Sequence, residues 1–175
     1  MSEFEAPLRL HLDGDALVAN WRYLKAQGQA DCGAAVKADG YGLGAREVVT
    51  RLRDAGCRNF FVAHWREAAA IADLVPPGWI TALNGIDPAD IPLVNGMGAV
   101  PVLNTPNQIA LWKAAGGGRC HVMLDTGINR LGIGAEQVSS DLFEGLEVDI
   151  LMSHLSSADQ EIGRASCRER VSPRV

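Results

Sequence analysis

Short, nearly continuous apolar runs recur along this chain at residues 32–36, 60–63, 79–83, 100–103, 120–124 and 148–152, and a helix-like segment separates each from the next. A strand with one face in water alternates apolar and polar residues, whereas a run that stays apolar is buried on both faces. In a β-α-β-α order, that environment belongs to a parallel sheet covered by helices. The spacing suits a (β/α) barrel and an open doubly wound sheet equally. A closed (β/α)8 barrel takes eight strands and about 250 residues. This chain has 175 residues and six such runs, so the expectation is an open sheet or an unfinished barrel.

The intervening segments carry their own signals. Residues 8–12 alternate Leu8, Leu10 and Leu12 with Arg9 and His11, a half-buried strand pattern. Asp15 stands where an N-cap belongs, ahead of the helical set Ala16, Leu17, Ala19, Trp21 and Leu24. Residues 45–55 place Val48, Val49 and Leu52 on one side and Arg46, Arg51 and Arg53 on the other, and Gly56 stops the helix. Further helices are predicted over 66–74 and 88–94, then over 105–115 with Thr105 as its cap, and a weak one over 136–143. Residues 160–175 hold four of the thirteen arginines and few large apolar side chains. They read as a non-native or disordered tail, which leaves residues 1–159 as the domain.

Composition narrows the function classes. Hydrophobic residues at 47% and charged residues at 21% fit a globular protein rather than a disordered one. A net charge of −5 gives no footprint for nucleic acid or for an anionic membrane surface. No apolar stretch approaches the roughly 20 residues that span a bilayer. The acidic N-terminus has no secretion h-region. Cys32, Cys57, Cys120 and Cys167 form no Cys-x-x-Cys pair, which argues against a metal site and a disulfide framework and for the cytoplasm.

Three positions could carry chemistry. The chain has only three lysines, and Lys25 and Lys113 fall inside helix-like segments. Lys37 alone terminates a strand-like run and is followed by Asp39, Gly40, Tyr41, Gly42 and Gly44. A desolvated lysine there can attack an aldehyde, and the glycines let the backbone approach a ligand. The glycine spacing does not match the Gly-x-Gly-x-x-Gly dinucleotide fingerprint. Residues 125–132, Asp-Thr-Gly-Ile-Asn-Arg-Leu-Gly, follow the fifth run and offer Arg130 to a carboxylate or phenolate oxygen, or to Asp125. His154 follows the sixth run. The C-terminal ends of strands are where α/β folds bind ligands, so Lys37, Arg130 and His154 fall at one level. His64 follows a strand without an evident partner, and His11 and His121 read as structural.

Ala-Val-Lys-Ala-Asp-Gly-Tyr-Gly-Leu-Gly at 35–44 resembles the pyridoxal-phosphate lysine signature of the alanine racemases. Leu-Asp-Thr-Gly-Ile-Asn-Arg-Leu-Gly at 124–132 is similar to that family's second marker, and Met-Ser-His-Leu at 152–155, with Ala158 and Asp159, to a third. The opening at 12–17, with Asn20, also fits. The resemblance covers roughly residues 8–159. It implies the N-terminal barrel of a fold-type III enzyme, a (β/α)8 barrel here incomplete at about six strands, acting on alanine as a homodimer with a C-terminal β-domain. It also implies that Lys37 forms the Schiff base with pyridoxal 5′-phosphate and moves the α-proton on one face. By the same resemblance Tyr41 bonds the cofactor phosphate and Leu83 and Asn84 lie beside the cofactor. Arg130 meets its phenolic oxygen and the substrate carboxylate, and His154 lies against the pyridine ring.

Two departures stand out. The position two residues before Asp125-Thr126-Gly127, a carboxylated lysine in many members, is Met123. The opposite-face tyrosine belongs to the partner's C-terminal domain, and this chain has only Tyr23 and Tyr41. The expectation is that the chain by itself is inactive. The alternatives are a single-barrel protein that binds pyridoxal phosphate without catalysis and a fold-type III racemase for another amino acid. Whether the role is D-alanine supply for peptidoglycan or alanine catabolism stays open.

Overall fold

The computed structural model describes residues 10–155. Its elements, in chain order, are α1 (Gly14–Lys25), β1 (Ala34–Ala35), α2 (Lys37–Tyr41), α3 (Ala45–Asp54), β2 (Phe60–Val62), α4 (Trp65–Ile71), β3 (Ile80–Ala82), α5 (Ile91–Met97), β4 (Val100–Leu103), α6 (Pro106–Ala114), β5 (Arg119–Leu124) and β6 (Glu147–Ser153). Six strands alternate with helices or helical turns, as the apolar runs required. The described residues divide into two compact units: those up to Ala82 with 97–99, and 83–96 with those from Val100 onward.

In the first unit β1, β2 and β3 are parallel, in register Ala34↔Phe60 and Phe60↔Ile80. Phe60 and Val62 on β2 and Ile80 and Ala82 on β3 are buried, α4 packs on both strands and on α3, and Val48, Val49 and Leu52 of α3 and Trp65, Ala68 and Ile71 of α4 are buried as well. Burying one side chain of the size of Leu52 contributes about 1.5–3 kcal/mol, so this layer dominates the unit's stability. The basic side of α3 stays in water, where Arg46 pairs with Asp73 at 2.6 Å and Arg51 with Glu47 at 2.6 Å.

In the second unit β4, β5 and β6 are also parallel, with Val102↔His121 and Val122↔Leu151 in register and a bulge at Cys120/His121. All four residues of β4 are buried, and Ile109 and Trp112 of α6 lie in the same core. Thr105 caps α6 by accepting the Gln108 N–H at 3.1 Å. β6 is different: Val148, Ile150 and Leu151 remain exposed, Leu151 at 59%.

Several expectations are corrected. Asp13, not Asp15, caps α1: its Oδ1 accepts the Ala16 N–H at 2.9 Å. Asp15 lies inside the first turn, where its charge still suits the helix dipole. Residues 10–12 are not a strand, and His11 lies in coil; Leu8 and Arg9 lie outside the described residues. The strand read at 32–36 shrinks to Ala34–Ala35, since only these pair with β2. The helix read at 136–143 is two 3-10 turns, Ala135–Gln137 and Ser140–Phe143. Residues 160–175 lie outside the described residues.

Candidate active site

Parallel strands put all their C-terminal ends on one edge, and the residues singled out in the sequence fall on those edges. Lys37 follows β1 by one residue and opens α2. Leu83 and Asn84 follow β3 directly, Arg130 lies in the segment after β5, and His154 comes immediately after β6. Lys37 and Tyr41 belong to the first unit and the other four to the second.

The turn that begins at Lys37 is left-handed. Ala38, Asp39 and Tyr41 have φ of 52°, 53° and 57°, and Gly40 lies between them at 65°. Each non-glycine residue in this region costs roughly 1–2 kcal/mol, so the turn persists only because other contacts over-determine it. Val36 C=O accepts the Gly40 N–H at 2.9 Å, and Ala38 C=O accepts the Gly42 N–H at 2.9 Å. Asp39 Oδ1 accepts the Ala45 N–H at 2.8 Å, which ties the turn to the start of α3. A Cβ at Gly40 would crowd Ala45 and Val48 at 3.3 Å. Within this frame Lys37 is half-buried and Tyr41 is 63% exposed.

Sequence reasoning missed Glu67. Its Oε1 accepts the Ala38 N–H at 2.7 Å, and its Oε2 accepts the N–H groups of Ala63 at 2.7 Å and His64 at 3.3 Å. Burial alone would raise the pKa of this carboxyl. The hydrogen bonds from Ala38, Ala63 and His64 together outweigh burial and bring it below the usual carboxylate value. The available signal was a glutamate three residues after a strand-end histidine, the spacing of a helix-start box.

In the second unit Asn104 and Gln108 hold the Leu83–Asn84 backbone. Asn104 Nδ2 donates to the carbonyls of Leu83 at 2.8 Å and Val102 at 3.0 Å, and Gln108 Nε2 donates to the Asn84 carbonyl at 3.1 Å. Asn104 Oδ1 is buried with no hydrogen-bond partner among the described residues. The Arg130 segment is closed by Asp125 N–H to Ile133 C=O at 3.0 Å and Ile133 N–H to Met123 C=O at 2.8 Å. Asp125 Oδ1 accepts from the N–H groups of Gly127 and Asn129 at 2.8 and 3.1 Å. The Thr126 and Ser153 hydroxyls are hydrogen-bonded at 2.5 Å, which joins this segment to the end of β6 beside His154. Arg130 and His154 are both exposed. Met123 is buried within β5. His121 is also buried in β5. Burial lowers its pKa against the pull of Asp149, which favours the neutral ring.

The model of the family described as "Alanine racemase, N-terminal domain" matches residues 12–171. The chain belongs to that family. An alanine racemase of Methylobacterium nodulans is 43% identical over 86% of this chain and 44% of its own length. A catabolic alanine racemase of Agrobacterium fabrum is 40% identical over 86% of this chain and 42% of its length. The crystal structure of Bartonella henselae alanine racemase, with covalently bound pyridoxal phosphate, superposes with a TM-score of 0.78. It is 32% identical, over 91% of this chain and 51% of that one. The fold is therefore the alanine racemase N-terminal (β/α) barrel, incomplete at six strands among the described residues. The chain spans about half the length of the relatives it matches.

Proposed function

We propose that this chain is the cofactor-bearing barrel part of a pyridoxal-phosphate-dependent alanine racemase that interconverts L- and D-alanine. The observation that carries this is Lys37, the one lysine standing at a strand's C-terminal end, held half-buried at the head of a rigid left-handed turn. Its two counterparts are engaged elsewhere. Lys25 Nζ lies 5.0 Å from the Trp21 ring centroid, and Lys113 Nζ donates to the Leu142 carbonyl at 3.0 Å.

The donor set fits the cofactor. A primary amine suits its aldehyde, a phenol (Tyr41) its phosphate, an imidazole (His154) its aromatic ring and a guanidinium (Arg130) its phenolic oxygen. Leu83, half-buried, offers apolar surface beside the ring, with Asn84 next to it. When bound, the cofactor supplies an electron sink that acidifies the substrate Cα–H. Lys37 would hold the cofactor through its amine, and the same amine would move the α-proton on one face. Arg130, with five donors and a fixed charge, receives the substrate carboxylate. Asn104 and Gln108 keep the Leu83–Asn84 backbone in place while the substrate exchanges. A homodimer in the cytoplasm, with the opposite-face base supplied by a C-terminal domain, belongs to the same reading.

The test is spectroscopic and chiral. Adding pyridoxal phosphate should raise a visible absorbance band that Lys37→Ala abolishes and Lys113→Ala retains. The intact protein should convert L-alanine to D-alanine with Cα–H exchange into D2O. A band that survives Lys37→Ala contradicts the assignment of the lysine. Racemisation of another amino acid but not alanine contradicts the assignment of the substrate.

A further inference from the structure

The turn after Lys37 closes on its own backbone from the Gly40 N–H onward, through Gly40 N–H to Val36 C=O and Gly42 N–H to Ala38 C=O, both at 2.9 Å. The amide next to the lysine, Ala38 N–H, is met instead by a side chain from α4, Glu67 Oε1 at 2.7 Å. The other oxygen of the same carboxylate takes the Ala63 and His64 N–H groups at the end of β2. One anion therefore joins the ends of two neighbouring strands at the point where the lysine emerges. We propose that Glu67 is a positioning residue for Lys37, pinning the left-handed turn so that the amine is presented to the cofactor in one geometry. This rests on reading Lys37 as the cofactor lysine.

The chemistry calls for a carboxylate of this length. Both oxygens face N–H donors, so both must be acceptors. Glutamine keeps the volume but turns an NH2 group towards one set of donors. Aspartate is one methylene too short to span both. Position adds to this, since Glu67 lies in the first turn of α4, where a negative charge is favoured. Asp39, by contrast, ties the far end of the turn to α3 and leaves the Ala38 amide to Glu67.

The experiment uses the 175-residue chain, mixed with pyridoxal phosphate and reduced with borohydride, with the rate of label on Lys37 followed by peptide mass spectrometry. Glu67→Gln should keep the circular dichroism of the parent and lose at least tenfold in labelling rate. Asp73→Asn, which breaks only the exposed pair with Arg46, should label as the parent does. A Glu67→Gln chain that folds and labels Lys37 at the parental rate overturns the proposal. A parent chain whose label falls on another lysine overturns the reading of Lys37, and this proposal with it. A measurement on the unaltered chain guards against a variant that fails to fold. The Ala38 and Ala63 amide resonances should shift together through one acidic titration, because one carboxylate accepts from both. Independent behaviour of the two amides overturns the proposal.

Discussion

Gly132→Ala should be far more damaging than its size suggests. Gly132 has φ +119°, and a Cβ there would sit 2.6 Å from the Asp125 nitrogen and 2.8 Å from the Leu124 carbonyl carbon. Both neighbours are backbone atoms, so neither can swing away. The unfavourable backbone region alone costs about 1–3 kcal/mol. Relief of the overlap requires the 124–133 segment to part, at the expense of the Asp125–Ile133 and Ile133–Met123 bonds. Each such bond contributes about 0.5–1.5 kcal/mol net. The loss should therefore total roughly 2–6 kcal/mol, with the Arg130 segment displaced. Gly116→Ala is the matched control. It lies in the same unit at φ +103°, with nothing within 4 Å of the added Cβ, so only the backbone cost applies. Urea unfolding of the two variants measures the difference. Equal losses would refute the argument that contact with the Asp125 backbone, rather than φ alone, requires glycine at 132.

Asp13→Ala should cost about 1 kcal/mol in urea unfolding through loss of the α1 cap, and Thr105→Ala a similar amount for α6, while Asp15→Ala should cost less. Glu67 makes stability pH-dependent. Its folded pKa lies below the ordinary 4.5, so its contribution is fully present above 4.5 and is lost as pH falls through the lower folded value. A urea titration of stability against pH should show this acidic loss, and Glu67→Gln should flatten it. Burial pushes the Cys120 thiol up to about 11, and Cys57 is also raised, first by burial. At neutral pH iodoacetamide should therefore modify half-buried Cys32 well before Cys57 or Cys120, which should react only on unfolding, as read by mass spectrometry.

The strands were legible because burial on both faces leaves no room for polar alternation, and Val100–Leu103 falls where its apolar run predicts. The placement of Lys37, Arg130 and His154 in the segments after β1, β5 and β6 was legible because each follows an apolar run. What escaped notice depends on geometry that composition does not encode. Two aspartates flank the start of α1, and only the backbone decides that Asp13 reaches the Ala16 amide. The left-handed turn was hidden because Ala38, Asp39 and Tyr41 adopt positive φ without being glycine. Glu67 reads in sequence as one more solvated charge on a short helix, and its role appears only when β1 and β2 are side by side. Asn104 follows an apolar strand and looks like a loop residue until its amide is seen to hold Leu83.

The chain has three lysines, so a cofactor carried by Lys37 can be told from one carried by Lys25 or Lys113. Borohydride reduction in the presence of pyridoxal phosphate, followed by proteolysis and mass spectrometry, should place a single stoichiometric label on the peptide containing Lys37. Label distributed to Lys25 or Lys113, or an unlabelled Lys37, would show that Lys37 is not the cofactor lysine.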